Sequence, residues 1–189
     1  MNQRSDIKFE KLLGKKTLIV GEIGSGKTTL LGNFLDYLVE NGLAGAVTLI
    51  EMAPGYGEIG RRVEEYTDKV NDIRYLRPRK IFPPRLLGRS IEEILDYAKR
   101  NYQELKELFM EFEKNPTEIL LINDLTIFLH AGAPEEVIAL MGPCKTFAAT
   151  AYEGAKLADD KGSGITFRER KALSVLKKHV DQVIHLTKA

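Results

Sequence analysis

Apolar residues recur along this chain in two alternating periods, and the alternation lays out its elements before any motif is considered. Lys16-Thr17-Leu18-Ile19-Val20 is short and mostly apolar, as a buried strand is. From Thr28 to Glu40 the apolar positions move to Leu30, Leu31, Phe34, Leu35 and Leu38, which is helical spacing. Asn41-Gly42 then offers a left-handed stop. Ala46 to Ile50 reads as a second strand, ending at Glu51 and followed by the turn Met52-Ala53-Pro54-Gly55-Tyr56-Gly57. A helical pattern is expected from Glu58 to Tyr66, with Ile59 and Val63 on one face, and a third short strand at Ile73 to Leu76.

The second half repeats the rhythm. Ser90 is a predicted N-cap, with Glu93 three residues on, and opens a helix reaching Lys114 before Asn115-Pro116 ends it. Glu118 to Asp124 is a continuous apolar run closed by polar residues, hence a central parallel strand. A segment from Leu125 to Ala131, a short helix near Pro134 to Met141 and a strand from Lys145 to Ala151 follow. Glu153 to Gly164 is expected to be a mobile loop, Thr166 to His179 a basic helix, and Gln182 to Leu186 the last strand. Strands alternating with helices predict an α/β fold of three layers, α/β/α, around a mostly parallel sheet. One domain is expected over residues 1–189, with residues 1–14 as a leading arm.

Between the first strand and the first helix lies Gly21-Glu22-Ile23-Gly24-Ser25-Gly26-Lys27-Thr28, followed by Thr29. It fits G-x-x-x-x-G-K-[ST] at every fixed position and in the right context, after a strand and opening a helix. Free backbone N–H groups and the positive end of the helix dipole converge there on phosphate. Lys27 would reach the β- and γ-phosphates, and Thr28 would set its hydroxyl on Mg²⁺.

Composition narrows the rest. A formal net charge of +1 argues neither for nor against nucleic acid, and the single cysteine, Cys144, excludes an intramolecular disulfide. No run approaches the ~18 apolar residues of a membrane span, and Met1 to Lys16 lacks a signal-peptide core. A soluble, cytoplasmic protein is expected. His130, His179 and His185 have no metal-ligand spacing.

Two carboxylates sit at strand ends, where ligands collect in open parallel sheets. Glu51 could accept a proton from an attacking water. After the apolar run Ile119–Ile122 come Asn123 and then Asp124, and strand alternation lets only one of them face a metal. The reading favours Asp124 as the carboxylate holding Mg²⁺ through water. Two basic segments, residues 74–89 and 168–178, are candidate nucleic-acid contacts, and the first could instead be an anion-binding lid.

Three stretches carry a family resemblance: Gly21 to Thr28, Val47-Thr48-Leu49-Ile50-Glu51 and Leu121-Ile122-Asn123-Asp124-Leu125-Thr126. In element order from Lys16 to Leu186 the chain resembles the RecA/KaiC-like ATPase branch of the P-loop NTPase superfamily. The resemblance implies ATP and Mg²⁺ as ligands, Glu51 as the catalytic glutamate and the third stretch as a Walker B strand. It also implies ring or filament assembly, with the Glu153 to Gly164 loop toward a partner. Asn123 stands where that branch commonly has Asp, a departure implying slow hydrolysis. An L-S-G-G-Q-like signature of ABC cassettes is missing, as is the N/T-K-x-D element of GTPases, so adenine is the expected base. The competing readings are a P-loop kinase acting on a small-molecule or polynucleotide hydroxyl, and a non-hydrolysing ATP-dependent switch.

Overall fold

Six strands form one sheet: β1 (Lys16–Gly21), β2 (Val47–Glu51), β3 (Arg74–Leu76), β4 (Ile119–Asn123), β5 (Thr146–Tyr152) and β6 (Gln182–Leu186). Their order is β3-β2-β4-β5-β1-β6, and every pairing is parallel. The helices are α1 (Lys27–Glu40), α2 (Pro84–Leu87), α3 (Ile91–Lys114), α4 (Thr126–Leu129), α5 (Pro134–Met141) and α6 (Ile165–Lys177). The computed structural model describes residues 7–57 and 59–187. This is the α/β architecture that the alternating periods predict.

Side-chain alternation along the strands divides the core in two. Ile19, Leu49, Leu121 and Ala148 face one way and pack against α1 through Leu31, Phe34, Leu35 and Leu38. Leu18, Val20, Ile50, Leu120 and Ile122 face the other way, onto α3, α4, α5 and α6. Each such buried Leu, Ile, Val or Phe side chain stabilises the fold by about 1.5–3 kcal/mol relative to exposure. A strand buried on both faces cannot alternate apolar with polar, which is why β4 reads Ile-Leu-Leu-Ile.

Several expectations are refined by local chemistry. Ser90 does cap α3, its hydroxyl accepting from the Glu93 N–H at 3.2 Å. Of the helix expected from Glu58 to Tyr66, Glu58 lies outside the described residues, and no α-helix forms over residues 59–66. Gly57 and Gly60 take left-handed φ of +59° and +64°, and Tyr56 and Ile59 pair as an antiparallel bridge, so the chain turns back on itself. Only 3₁₀ turns follow, at Val63–Glu65 and Asp68–Asp72. Of the expected leading arm, residues 1–6 lie outside the described residues. The remainder is docked, with Leu12 buried and the Phe9 ring 5.7 Å from that of Phe34.

The consequence for function is placement. The β1–α1 loop and the carboxyl ends of β2, β4 and β5 open on the same edge of the sheet.

Candidate functional site

The phosphate loop is shaped by close approach and by left-handed glycines. A Cβ on Gly21 would lie 2.3 Å from the Leu186 carbonyl oxygen, so no side chain fits between β1 and β6 there. Gly24 and Gly26 take φ of +73° and +87°, which only glycine adopts cheaply, and Gly26 caps α1. The Lys27 ammonium curls over the loop, donating to the Gly21 carbonyl at 2.9 Å and the Glu22 carbonyl at 2.8 Å. Burial lowers its pKa, against the attraction of Asp124 and Glu22.

Glu22, predicted as one of the nucleotide-binding residues of this loop, fastens a second loop to it. Its carboxylate accepts from the N–H of Ile23 at 2.8 Å, Ala155 at 2.9 Å and Lys156 at 3.2 Å. Desolvation would raise its pKa, but those backbone donors and the Tyr152 hydroxyl hold it at about 2. Gly154 makes the approach possible, since a Cβ there would lie 2.3 Å from a Glu22 oxygen. The Glu153 to Gly164 loop is therefore tied at its start to the phosphate loop.

Strand parity decides the order at the carboxyl edge. Asn123 follows Ile119 and Leu121 onto the α1 side and stands opposite Glu51 of β2. Its Oδ1 accepts from the Thr28 hydroxyl at 3.3 Å and from the Thr150 hydroxyl at 2.9 Å, while its Nδ2 donates to Glu51 Oε1 at 2.8 Å. Asp124 leaves the strand in a left-handed conformation (φ +59°), with its N–H on Thr150 Oγ1 and its carboxylate accepting from the Thr126 hydroxyl, both at 2.8 Å. Burial raises the Asp124 pKa, opposed by the Thr126 hydrogen bond and by Lys27.

Glu51 is placed differently from its expected role as proton acceptor. It is fully buried and does not border the cavity described below. Its two oxygens accept from the N–H groups of Ala53 and Val63, each at 2.9 Å, and from Asn123. Desolvation pushes its pKa up to about 7 against those donors. In this arrangement Glu51 braces the β2 turn and the Asn123 amide.

The loop and strand ends enclose a cavity of about 340 Å³. Gly24, Gly26, Lys27 and Thr28 form one wall, Asn123, Asp124 and Thr150 the floor, and Pro54, Ile59 and Tyr66 a second wall. Opposite the loop stand Pro83 to Leu86, Ile127 and His130. Asp124 is the only carboxylate bordering it among the described residues. Thr29 does not border it.

The far wall is held by charges that sequence reasoning missed. Arg85 pairs with Glu169 of α6 at 2.5 Å, and His130 lies 2.8 Å from the other Glu169 oxygen. All three side chains are at least nine-tenths buried, and Arg85 also donates to Thr166 at 3.1 Å. Glu169 sits among basic residues in sequence, so nothing marked it as a buried partner.

The basic segments are largely engaged at home. Arg74 donates to the Asn115 and Glu111 carbonyls, Arg77 pairs with Glu64, Arg168 donates to the Ala131 carbonyl and Arg170 to that of Gly154. The acids missing from residues 74–89 come from elsewhere in the chain.

Among the described residues no cluster of three or more His, Cys, Asp or Glu could hold a metal unaided. Mg²⁺ asks for less, since it keeps waters and takes one or two carboxylates with phosphate oxygens. The Thr28 hydroxyl and Asp124 are hard oxygen donors bordering one cavity with Lys27, and they fit it.

No family model matches the chain, and no curated protein matches it. Among solved structures it is similar to the crystal structure of Pif1 helicase from Candida albicans, at 17% identity and a TM-score of 0.43. That likeness covers 98% of this chain and 39% of the helicase chain. It is a likeness of fold. Among the described residues no helix is long and apolar enough to cross a membrane.

Proposed function

We propose that this protein binds ATP with Mg²⁺ on the Gly21 to Thr28 loop and cleaves its terminal phosphoryl group, as an ATPase of RecA/KaiC-like type. The observation that carries this is the convergence of Lys27, Thr28, Asn123 and Asp124 on one cavity at the carboxyl edge of a parallel sheet.

The loop N–H groups and Lys27 hold the β- and γ-phosphates. When bound, Mg²⁺ neutralises charge shared between those phosphates. Thr28 offers it a hydroxyl oxygen, and the hydroxyl proton is directed at Asn123 Oδ1. Asn123 thus orients Thr28 without adding charge, which supports slow turnover. Asp124 would hold Mg²⁺ through water and, as the carboxylate bordering the cavity, also orients the attacking water and takes its proton. That role was expected of Glu51, whose carboxylate is occupied elsewhere; Glu51 instead holds the Asn123 amide. The resemblance of residues 21–28 and 47–51 to the RecA/KaiC-like branch supports ATP as the nucleotide.

The test is phosphate release from ATP and GTP with Mg²⁺, paired with binding of a fluorescent ATP analogue, for the native protein, Asp124→Asn and Lys27→Ala. Asn tolerates the left-handed backbone at this position, so the variant removes only the charge. Turnover should favour ATP and fall roughly 100-fold or more in Asp124→Asn, with binding retained. Lys27→Ala should weaken binding about 10- to 100-fold. Native-like turnover in Asp124→Asn would remove Asp124 from the chemistry.

A further inference from the structure

We infer that the outward face of α6 is a docking site for single-stranded nucleic acid, with Phe167 as the stacking platform for a base and Lys171 and Lys178 on the phosphates. No α6 residue borders the phosphate-loop cavity, so this surface is separate from the ATP site and the inference does not rest on it.

The inward face of α6 is fully engaged. Ile165, Ala172, Leu173 and Leu176 are buried there, and Glu169, the only carboxylate of the helix, is paired with Arg85 and His130. Outward lie Phe167, Lys171, Ser174 and Lys178, all exposed. Steps of four, three and four residues set them in one stripe along the helix. Lys178, just past the last turn, keeps helical φ and ψ and so stays in line. At ~1.5 Å per residue the stripe runs about 16 Å.

Charge on this face has one sign. Arg168 and Arg170, also exposed, flank the stripe, held by the Ala131 carbonyl at 2.5 Å and the Gly154 carbonyl at 3.0 Å. Those carbonyls are neutral, so both guanidinium charges still act outward. Lys171 and Lys178 have no partner among the described residues. The outer surface of α6 therefore presents cations and no carboxylate of its own, which is complementary to a polyanion.

Phe167 narrows the polyanion. It is 73% exposed, against 39–51% for the other exposed large apolar side chains. A lone exposed ring is ordinary on a protein surface, but a ring set in a row of cations matches a partner built of rings and anions. In a single strand every base offers a face to stack on Phe167, and every phosphate an anion to the lysines. At ~3.4 Å per nucleotide of stacked strand the stripe spans up to about five nucleotides. A duplex keeps its bases stacked inside, out of reach of the ring. A bilayer surface is less well matched, because the apolar face of α6 is turned into the core and one ring is left to insert.

The chain has no tryptophan, so Phe167→Trp places a single reporter at the platform. Oligo-dT of about fifteen nucleotides at low salt should quench its emission saturably. With fluorescein-labelled oligo-dT, anisotropy should show Phe167→Ala binding about 10- to 100-fold more weakly than the native chain. Lys171→Gln combined with Lys178→Gln should weaken binding and reduce the slope of log K against log salt by about 1.4. All these side chains are exposed, so the substitutions leave the core intact. Oligo-rU of the same length tests the sugar: binding of either strand supports the site, and the tighter one names its source. Duplex DNA, polyglutamate and phosphatidylserine vesicles are the controls. A duplex bound as tightly as the single strand overturns the assignment, as does equal quenching by polyglutamate or vesicles. Native-like affinity in Phe167→Ala, or no quenching by either oligonucleotide, overturns it as well.

Discussion

Glu51→Gln removes a carboxyl group that folding carries from water to a site with no exposure at all. In the folded protein that group is pushed from 4.5 to about 7 by desolvation, against hydrogen bonds from Ala53, Val63 and Asn123. A raised folded pKa means that the folded state holds the proton more tightly than the unfolded chain does. The associated stability is fully present below pH 4.5 and is lost as pH rises through about 7. At about 1.4 kcal/mol per pH unit the whole loss is on the order of 3 kcal/mol, most of it between pH 5 and pH 8. For a domain of this length that corresponds to roughly 5–10 °C in Tm. Glu22 acts in the opposite sense, since its folded pKa of about 2 gives stability that is lost only below pH 4.5. The window from pH 5 to pH 8 therefore isolates Glu51 from Glu22. Urea unfolding of native protein and Glu51→Gln at both pH values is the assay. The stability difference between them should move by about 2–3 kcal/mol in favour of the variant as pH rises. A difference that stays flat from pH 5 to pH 8 would refute the buried, desolvated carboxyl. The same variant separates two roles in turnover. As a brace for Asn123, Glu51→Gln should keep ATP cleavage within about 10-fold, whereas loss of a general base costs about 10²–10⁴-fold.

Arg85→Met leaves Glu169 buried without its cation and should destabilise the fold by about 3–5 kcal/mol in urea unfolding. Adding Glu169→Gln should recover much of that loss, and a double variant no more stable than the single one would contradict the pairing. Gly154→Ala drives a methyl group into the Glu22 carboxylate, so residues 153–164 should detach from the phosphate loop. Limited proteolysis should then cut that segment faster than in the native protein, and unchanged cleavage would show that Glu22 does not hold it.

The phosphate loop was legible because its glycines, Lys27 and Thr28 are contiguous and lie between a strand pattern and a helix pattern. A local motif with local geometry needs no tertiary information. The same is true of the α/β layering, since each strand and helix writes its own period. Gln182 to Leu186 was read to the residue on that basis, and the α3 start at Ser90 because a cap is local chemistry. The helix expected over Glu58 to Tyr66 failed where two glycines overrode a weak periodicity of two apolar residues.

Other properties depended on residues far apart in sequence meeting in space. That Asn123 faces Thr28 depends on which face of β4 meets α1, and parity alone could not name that face in advance. The removal of Glu51 from the cavity depends on the N–H of Val63, twelve residues away, folding back over the carboxylate. Arg85, His130 and Glu169 lie on three separate segments, the widest gap being 84 residues. Each looks like a solvated surface residue in isolation. Sequence fixes what is written in consecutive residues. Burial, and with it which charges are paired and which carboxylate remains at the cavity, is a property of packing.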